Sequence, residues 1–144
     1  MQIKKLYVII VLCMFTYMLQ AQPYKFMFRH YSIENGLNSN CVSAIVTDSK
    51  GYIWIGTDNG LSKFDGIEFV NYQKRNTNNA LGNNSIISLS EYRNKLYIGT
   101  YEGLFTYDYS SGQFNRCIKY IKSTVTNMTE DHNGNLWIST RDQG

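Results

Sequence analysis

A short aromatic motif occurs three times in the sequence, and this repeat constrains the fold more than any other feature. The copies begin at Trp54, Tyr97 and Trp137 and read Trp-Ile-Gly-Thr, Tyr-Ile-Gly-Thr and Trp-Ile-Ser-Thr. Their spacings are 43 residues (54 to 97) and 40 residues (97 to 137). Self-similarity at such a period is typical of proteins built from stacked structural repeats.

Each copy is preceded by a matched set of turn residues. An acidic residue stands six positions before each aromatic residue, and a Gly or Asn follows it by three: Asp48 and Gly51, Glu91 and Asn94, and Asp131 and Gly134. An acidic side chain can accept the backbone N–H groups of its own turn, and Gly or Asn tolerates a positive φ. The pattern therefore predicts a tight hairpin with a bulge before each motif.

The residues after each turn predict short, closely packed strands. In the motif strand a large ring shares one face with Gly56 or Gly99, which suits a sheet pressed against a neighbouring sheet. Gly60 and Gly103 open the next turn, and further strands are predicted at 61–65, 67–72, 104–108 and 113–114. Four short strands in about 40 residues describe one propeller blade. We therefore predict an all-β fold, an incomplete β-propeller of about two and a half four-stranded blades.

The composition excludes two classes of protein. With 14 Lys or Arg against 11 Asp or Glu, a net charge of +3 and 43% hydrophobic residues, the chain is neither a disordered tail nor a strongly basic nucleic-acid binder. We therefore expect no nucleic acid among the partners of this segment. The 12 Tyr, 7 Phe and 11 Gly, with a single Pro, favour many short strands over a few long helices.

The amino terminus has the pattern of an export signal. Lys4 and Lys5 precede an uncharged apolar run at positions 6–19, and Ala21 follows. We predict a signal peptide over residues 1–21 with cleavage after Ala21. A retained membrane anchor is the alternative, although a spanning helix needs about 20 apolar residues.

Residues 48–66, which read Asp-Ser-Lys-Gly-Tyr-Ile-Trp-Ile-Gly-Thr-Asp-Asn-Gly-Leu-Ser-Lys-Phe-Asp-Gly, resemble a known repeat. They are similar to the two-component-regulator propeller repeats in the periplasmic sensor region of hybrid histidine kinases, as is the leading segment at 28–37. The resemblance extends over about residues 26–144. We predict a leading strand and linker at 22–37, with the strand at 24–31, one blade at 38–80, a second at 81–121 and part of a third at 122–144.

The resemblance implies a signalling function. In that family a propeller precedes a linker domain, a membrane helix, a kinase core and a receiver with a DNA-binding output, and many members respond to oligosaccharides. We therefore expect an amino-terminal fragment of a periplasmic sensor, itself not an enzyme and without cofactor or metal. The implied partners are the remaining blades and kinase domains, an oligosaccharide and a second copy in a homodimer. The alternative is an exported propeller-repeat protein for protein interaction, without a kinase.

The candidate ligand-binding residues lie in the turns between second and third strands. In a propeller these turns project at the same face near the central channel, so their non-repeating residues can face a shared ligand. The candidates are Asp58 and Asn59, Tyr101 and Glu102, and Arg141 and Asp142. An aromatic ring beside polar and charged groups suits a sugar, although ordinary solvated turn residues would give the same pattern.

Other reactive residues indicate little chemistry. His30 and His132 are expected to be solvated or structural, since neither lies in the helical pattern of a phosphoacceptor. Cys41 and Cys117 are expected as packed small hydrophobes, too far apart for a disulfide. A glycosidase is a third possibility, but the acidic turn residues recur at one repeat position and no unique acidic pair stands out.

Overall fold

The structure, a computed structural model, describes residues 3–5, 26–75, 80–117 and 121–142. The predicted cleavage site and nearly all of the predicted signal peptide lie outside these residues. Within the described residues, no helix is both long and apolar enough to cross a membrane. The chain divides into two units, residues 1–30 and 31–144. Residues 26–31, the described part of the predicted leading strand, form no strand.

Two four-stranded antiparallel sheets and one hairpin form the second unit. Blade 1 pairs β1 (Val42–Thr47), β2 (Ile53–Thr57), β3 (Gly60–Phe64) and β4 (Phe69–Tyr72) in that order. Blade 2 pairs β5 (Ile86–Tyr92), β6 (Lys95–Thr100), β7 (Gly103–Asp108) and β8 (Gln113–Arg116) in the same way. Blade 3 contains β9 (Val125–Glu130) and β10 (Leu136–Thr140). The first strands lie side by side, with β5 between β1 and β9, which confirms an incomplete all-β propeller.

The first hairpins of blades 1 and 3 share one turn geometry. In blade 1 the N–H of Asp48 donates to the carbonyl of Tyr52 and the N–H of Gly51 donates to the carbonyl of Asp48, both at 2.9 Å. Gly51 has a φ of 87° and Gly134 a φ of 73°, a region that L side chains rarely adopt. Both turns are three-residue loops in which the glycine forms a bulge.

The first hairpin of blade 2 has a different turn, so the prediction of a bulged hairpin was wrong there. Tyr92 pairs directly with Lys95, and the two residues between them, Arg93 and Asn94, have φ values of 46° and 59°. Two consecutive positive φ values give a two-residue hairpin turn. The carboxylate of Glu91, one methylene longer than that of an Asp, bonds outside its own turn.

The hydrophobic core lies between the blades rather than within one sheet. The cluster between blades 1 and 2 contains Trp54, Leu61, Leu81, Ile86, Leu96, Ile98, Phe105 and Phe114. A smaller cluster between blades 2 and 3 contains Leu104, Val125 and Met128. Gly56 permits this close approach, because a Cβ there would lie 2.5 Å from Cγ2 of Ile86.

Residues 31–40 cover the face of blade 1 that points away from blade 2. The ring of Tyr31 meets that of Phe64 edge-on at 4.9 Å between centroids, and Leu37 is buried. The N–H of Asn38 donates to Oγ of Ser62 at 3.2 Å. Phe64 and Ser62 alternate along β3 with residues that face blade 2, so they lie on the opposite side of the sheet.

The Asn-rich segment at residues 76–84, a loop that connects blades 1 and 2, is described in part. Residues 76–79 lie outside the described residues, whereas residues 80–84 follow an irregular path between the two blades. Leu81 forms a bridge with Lys74 and is buried in the cluster between the blades. The described part of the loop is therefore anchored by an apolar side chain.

Candidate functional site

The turns between second and third strands have the same local geometry in blades 1 and 2. In blade 1 the hydroxyl of Thr57 donates to the carbonyl of Gly60 at 2.8 Å and accepts the N–H of Asn59 at 3.1 Å. In blade 2 the hydroxyl of Thr100 makes the corresponding bonds, at 2.9 Å to the carbonyl of Gly103 and 3.1 Å from Glu102. The last residue of each motif strand thus fixes the turn that carries the candidate residues.

Two of the six candidate residues line one cleft. Asp58 from blade 1 and Tyr101 from blade 2 face a space of about 440 Å³ between these blades. Both residues are exposed, and Tyr101 keeps 52% of its surface accessible. The other lining residues are Cys41, Val42, Ser43, Ser85, Ile86 and Ile87.

A hydrogen bond joins the two blades inside this cleft. The hydroxyl of Ser43 lies 2.8 Å from the carbonyl of Ile86 and 3.0 Å from that of Gly56. Ile86 is also the residue that Gly56 approaches most closely. The floor of the cleft is therefore a tight contact between the blades, while its rim carries the polar and aromatic groups.

Asn59 and Glu102 contact other segments of the same chain and do not line the cleft. The side-chain amide of Asn59 donates to the backbone carbonyl of Asn38 at 3.3 Å, and the backbone carbonyl of Asn59 accepts from the side-chain amide of Gln73 at 3.1 Å. Glu102 forms an ion pair with Lys74 at 3.7 Å, between two half-exposed side chains. Both residues tie their turns to adjacent segments.

Arg141 and Asp142 follow β10 in blade 3 and lie outside the cleft between blades 1 and 2. The N–H of Arg141 donates to the carbonyl of Thr124 at 3.0 Å. A carboxylate oxygen of Asp142 lies 3.2 Å from the hydroxyl of Ser123. Their contacts join the end of β10 to the segment that precedes β9.

The cleft contains residues that the sequence did not single out. Ser43 and Ser85 lie at or just before the start of a first strand, and Val42 pairs with Thr57. This register brings the start of β1 to the same edge of the sheet as the turn at Asp58. Counting back from the motif strand across the hairpin would have identified these positions.

The two cysteines within the described residues, Cys41 and Cys117, are free, but only one is packed as expected. Cys41 is exposed at the cleft, so the expectation of a packed hydrophobe was wrong for this residue. It lies just before β1, outside the strands that pack between the blades. Cys117 is half-buried beside the cluster between blades 2 and 3, and burial raises the pKa of its thiol. His30 and His132 are exposed.

The acidic turn residues of blades 1 and 3 bind their own hairpins. In blade 1 the carboxylate of Asp48 accepts the N–H groups of Lys50 and Tyr52 and the indole N–H of Trp54. In blade 3 the backbone N–H of Asn135 and the indole of Trp137 hold the pKa of Asp131 well below its usual range. Among the described residues, no cluster of His, Cys, Asp or Glu could hold a metal ion.

Comparison with known proteins identifies the repeat. Residues 36–59 and 119–142 match the family described as two component regulator propeller. Histidine kinase P4 of Formosa agariphila is 40% identical over 55 residues, which make up 38% of this chain and 4% of that relative.

Solved structures show the same fold. The extracellular domain of a hybrid two-component system from B. thetaiotaomicron aligns with a TM-score of 0.73 and 26% identity, over 81% of this chain and 18% of its own. A second such domain from the same organism aligns with a TM-score of 0.66 and 26% identity, over 83% and 18%. Virginiamycin B lyase of Staphylococcus aureus is similar in fold alone, with a TM-score of 0.53 and 16% identity over 72% of this chain and 37% of its own.

Proposed function

We propose that this chain, which carries two-component regulator propeller repeats, is the amino-terminal part of the ligand-sensing propeller of a hybrid two-component sensor kinase. The family match and the likeness to extracellular domains of such systems support this proposal. The chain spans only 18% of the length of those extracellular domains. The likeness to extracellular domains also supports the proposal that this chain is exported and that its sensor domain lies in the periplasm.

The chain acts in binding and not in catalysis. Its relatives among solved structures at about a quarter identity are extracellular sensor domains. The buried carboxylate of Asp48 is fully used by its turn and by Trp54, so it cannot serve as an acid or base in an open site. The glycosidase alternative therefore has no supporting observation.

The proposal for the ligand class rests on the residues that line the cleft between blades 1 and 2. The exposed Tyr101 ring offers an apolar face on which a sugar ring can stack, and Asp58 offers acceptors for sugar hydroxyl groups. Ser43 and Ser85 add small polar groups on the inner strands. This combination of one aromatic face with converging acceptors supports an oligosaccharide ligand.

The charge of the cleft favours a neutral sugar. Asp58 is the only charged residue among those that line it. A carboxylate accepts hydrogen bonds from hydroxyl groups but repels the carboxylates and sulfates of acidic sugars. We therefore expect neutral oligosaccharides to bind more tightly than uronate-containing or sulfated ones.

Ligand binding would signal by favouring one arrangement of the sensor. Only a ligand that binds two states with different affinity can shift their equilibrium. A cleft built from two blades suits this requirement, because a change in their relative angle changes the distance between Asp58 and Tyr101.

The test of the ligand is a binding measurement with two aromatic variants. Calorimetry with a panel of neutral and acidic oligosaccharides should detect a neutral ligand, and Tyr101→Ala should weaken its binding about 5- to 150-fold, since loss of a stacking platform costs about 1–3 kcal/mol. Trp137→Ala is the control, because Trp137 is an exposed aromatic residue outside this cleft. Equal loss in both variants, or a preference for acidic sugars, would contradict the proposed site.

The kinase connection is tested separately from the ligand. Sequencing the source locus past the codon for Gly144 shows whether the reading frame continues into further blades, a membrane helix and a kinase core. A stop codon followed by no such segment would favour the alternative, an exported propeller-repeat protein for protein interaction.

A further inference from the structure

The first turns of blades 1 and 2 are joined by two short hydrogen bonds. The backbone N–H of Ser49 donates to Oε2 of Glu91 at 2.7 Å, and the hydroxyl of Ser49 donates to Oε1 of the same carboxylate at 2.7 Å. Both carboxylate oxygens are therefore engaged by one residue of the neighbouring blade. Hydrogen bonds to an ionised acceptor are shorter and stronger than neutral ones.

This contact exists because blade 2 departs from the repeat. In blades 1 and 3 the acidic turn residue binds the indole N–H of the tryptophan six positions later. Tyr97 stands at that position in blade 2 and has no N–H to offer. Glu91 is also longer than Asp and its turn has only two residues, so its carboxylate extends across the interface.

The contact lies at the opposite end of the blade interface from the cleft. The cleft is at the start of β1 and β5, where Ser43 bonds to the carbonyl of Ile86 and Gly56 touches the same residue. From Ser43 to the end of β1 at Thr47 is four positions, or about 13 Å at about 3.3 Å per residue, and Ser49 lies in the turn just beyond. The tight contact near the cleft can serve as a pivot, and the distant contact then fixes the angle between the blades.

We propose that Ser49 and Glu91 form a clip that sets the angle between blades 1 and 2 and thereby the width of the cleft that Asp58 and Tyr101 line. The two residues position the cleft and do not contact its occupant. The clip goes beyond the proposed function and does not depend on which ligand binds.

The interface between blades 2 and 3 supplies a matched control. There the residue at the position of Ser49 is Tyr92, whose hydroxyl donates to the carbonyl of Gly134 at 2.6 Å. This bond also joins two consecutive turns, but it spans the other interface. Removing it with Tyr92→Phe should leave the cleft between blades 1 and 2 unchanged.

The test measures the width of the cleft directly and without a ligand. Nitroxide labels are attached to native Cys41 and to a cysteine introduced by Ser85→Cys, which line the cleft from the two blades. Cys13→Ser and Cys117→Ser remove the other thiols of the full chain. Electron paramagnetic resonance then gives the distance distribution between the labels in each clip variant.

We expect Glu91→Ala to broaden the distribution of label distances, because the blades are then free to turn about the contact of Ser43 with Ile86, and Glu91→Gln to do so less, since Gln keeps one acceptor oxygen. Ser49→Ala should broaden the same distribution, and Ser49→Ala combined with Glu91→Ala should broaden it no further than Glu91→Ala alone. Tyr92→Phe should match the parent.

An unchanged distribution in a Glu91→Ala chain with native circular dichroism would overturn the clip, as would an equal change in Tyr92→Phe. If Glu91→Ala fails to fold, Glu91→Gln and Ser49→Ala decide by the same criterion. Because no sugar is present, these outcomes are independent of the Tyr101→Ala binding test.

Discussion

Blades 1 and 3 contain the same acidic–tryptophan pair in two different surroundings. The indole N–H of Trp54 donates to Oδ2 of Asp48 at 2.8 Å, and that of Trp137 donates to Oδ2 of Asp131 at 2.8 Å. Yet Trp54 is fully buried, whereas Trp137 is 63% exposed. The hydrogen bond is a local property of the repeat, and the burial is not.

The difference comes from the neighbouring blade. The ring of Trp54 packs against Tyr107 and Tyr109 of blade 2, at centroid distances of 5.1 and 6.2 Å, and stacks on Tyr72 of its own blade at 5.8 Å. Among the described residues, no sheet packs in this way on Trp137. Each blade thus brings its own turn geometry, while the next blade supplies the apolar contacts that stabilise it.

The largest expected difference between blades 1 and 3 is the loss of stability when their tryptophans are replaced. Trp54→Ala should lower the free energy of unfolding by about 3–5 kcal/mol, because it removes a fully buried ring and leaves a cavity between the blades. In the 144-residue chain Trp137→Ala should change it by less than about 1 kcal/mol, since its ring is largely in water. Urea unfolding followed by circular dichroism measures both values. Equal losses would show that Trp137 is covered in solution.

A smaller effect is expected at the acidic residues. Asp48→Asn replaces one acceptor oxygen by a donor, so the buried indole N–H of Trp54 or a turn N–H loses its partner, at a cost of about 1–3 kcal/mol. Asp131→Asn should cost less than about 1 kcal/mol, because water can take the place of the lost acceptor beside the exposed ring. The urea midpoints of the two variants test this order, and a larger loss for Asp131→Asn would contradict it.

The smallest expected effect is the pH dependence of the stability that Asp131 contributes. The pKa of Asp131 is lowered, chiefly by the backbone N–H of Asn135 and the indole of Trp137. An Asp in an unfolded chain has a pKa near 3.9. The contribution of Asp131 to stability is therefore present above that value and is lost as the pH falls through the lower pKa of the folded state.

This behaviour is observable at the indole itself. The NMR signal of the Trp137 indole N–H should stay constant from neutral pH to about 4 and shift only at lower pH. In Asp131→Asn that acidic shift should disappear. A transition in the parent at the ordinary pKa of an Asp would show that the carboxylate does not hold these hydrogen bonds in solution.

The pattern of the sequence was sufficient to predict the blades, because their strands depend on local alternation and on turns. The motif strands at Trp54 and Tyr97 lie second in their four-stranded sheets, as the spacing of the three copies indicated. The turn of blade 2 was not predictable from the repeat. The Glu91 carboxylate could bond either within its own turn or to a neighbouring blade, and its partner, Ser49, lies in blade 1.

The candidate site, too, was predictable from the sequence only in part. Its six residues were chosen from one turn position, and the structure brings Asp58 and Tyr101 to one cleft while Asn59 and Glu102 bind adjacent segments. The exposure of Cys41 was also missed. Which side of a turn faces a neighbouring blade depends on the twist and packing of two sheets, which a single repeat does not encode.

The sequence by itself determined the repeat, the four-stranded blade and the backbone N–H groups that Asp48 and Asp131 accept in their own turns, because these involve residues a few positions apart. Only the tertiary structure decided that Trp54 is buried and Trp137 exposed, that Glu91 reaches Ser49, and that a cleft opens between Asp58 and Tyr101. Those features arise where one sheet packs on the next, and the burial of apolar surface between sheets depends on which blades are neighbours.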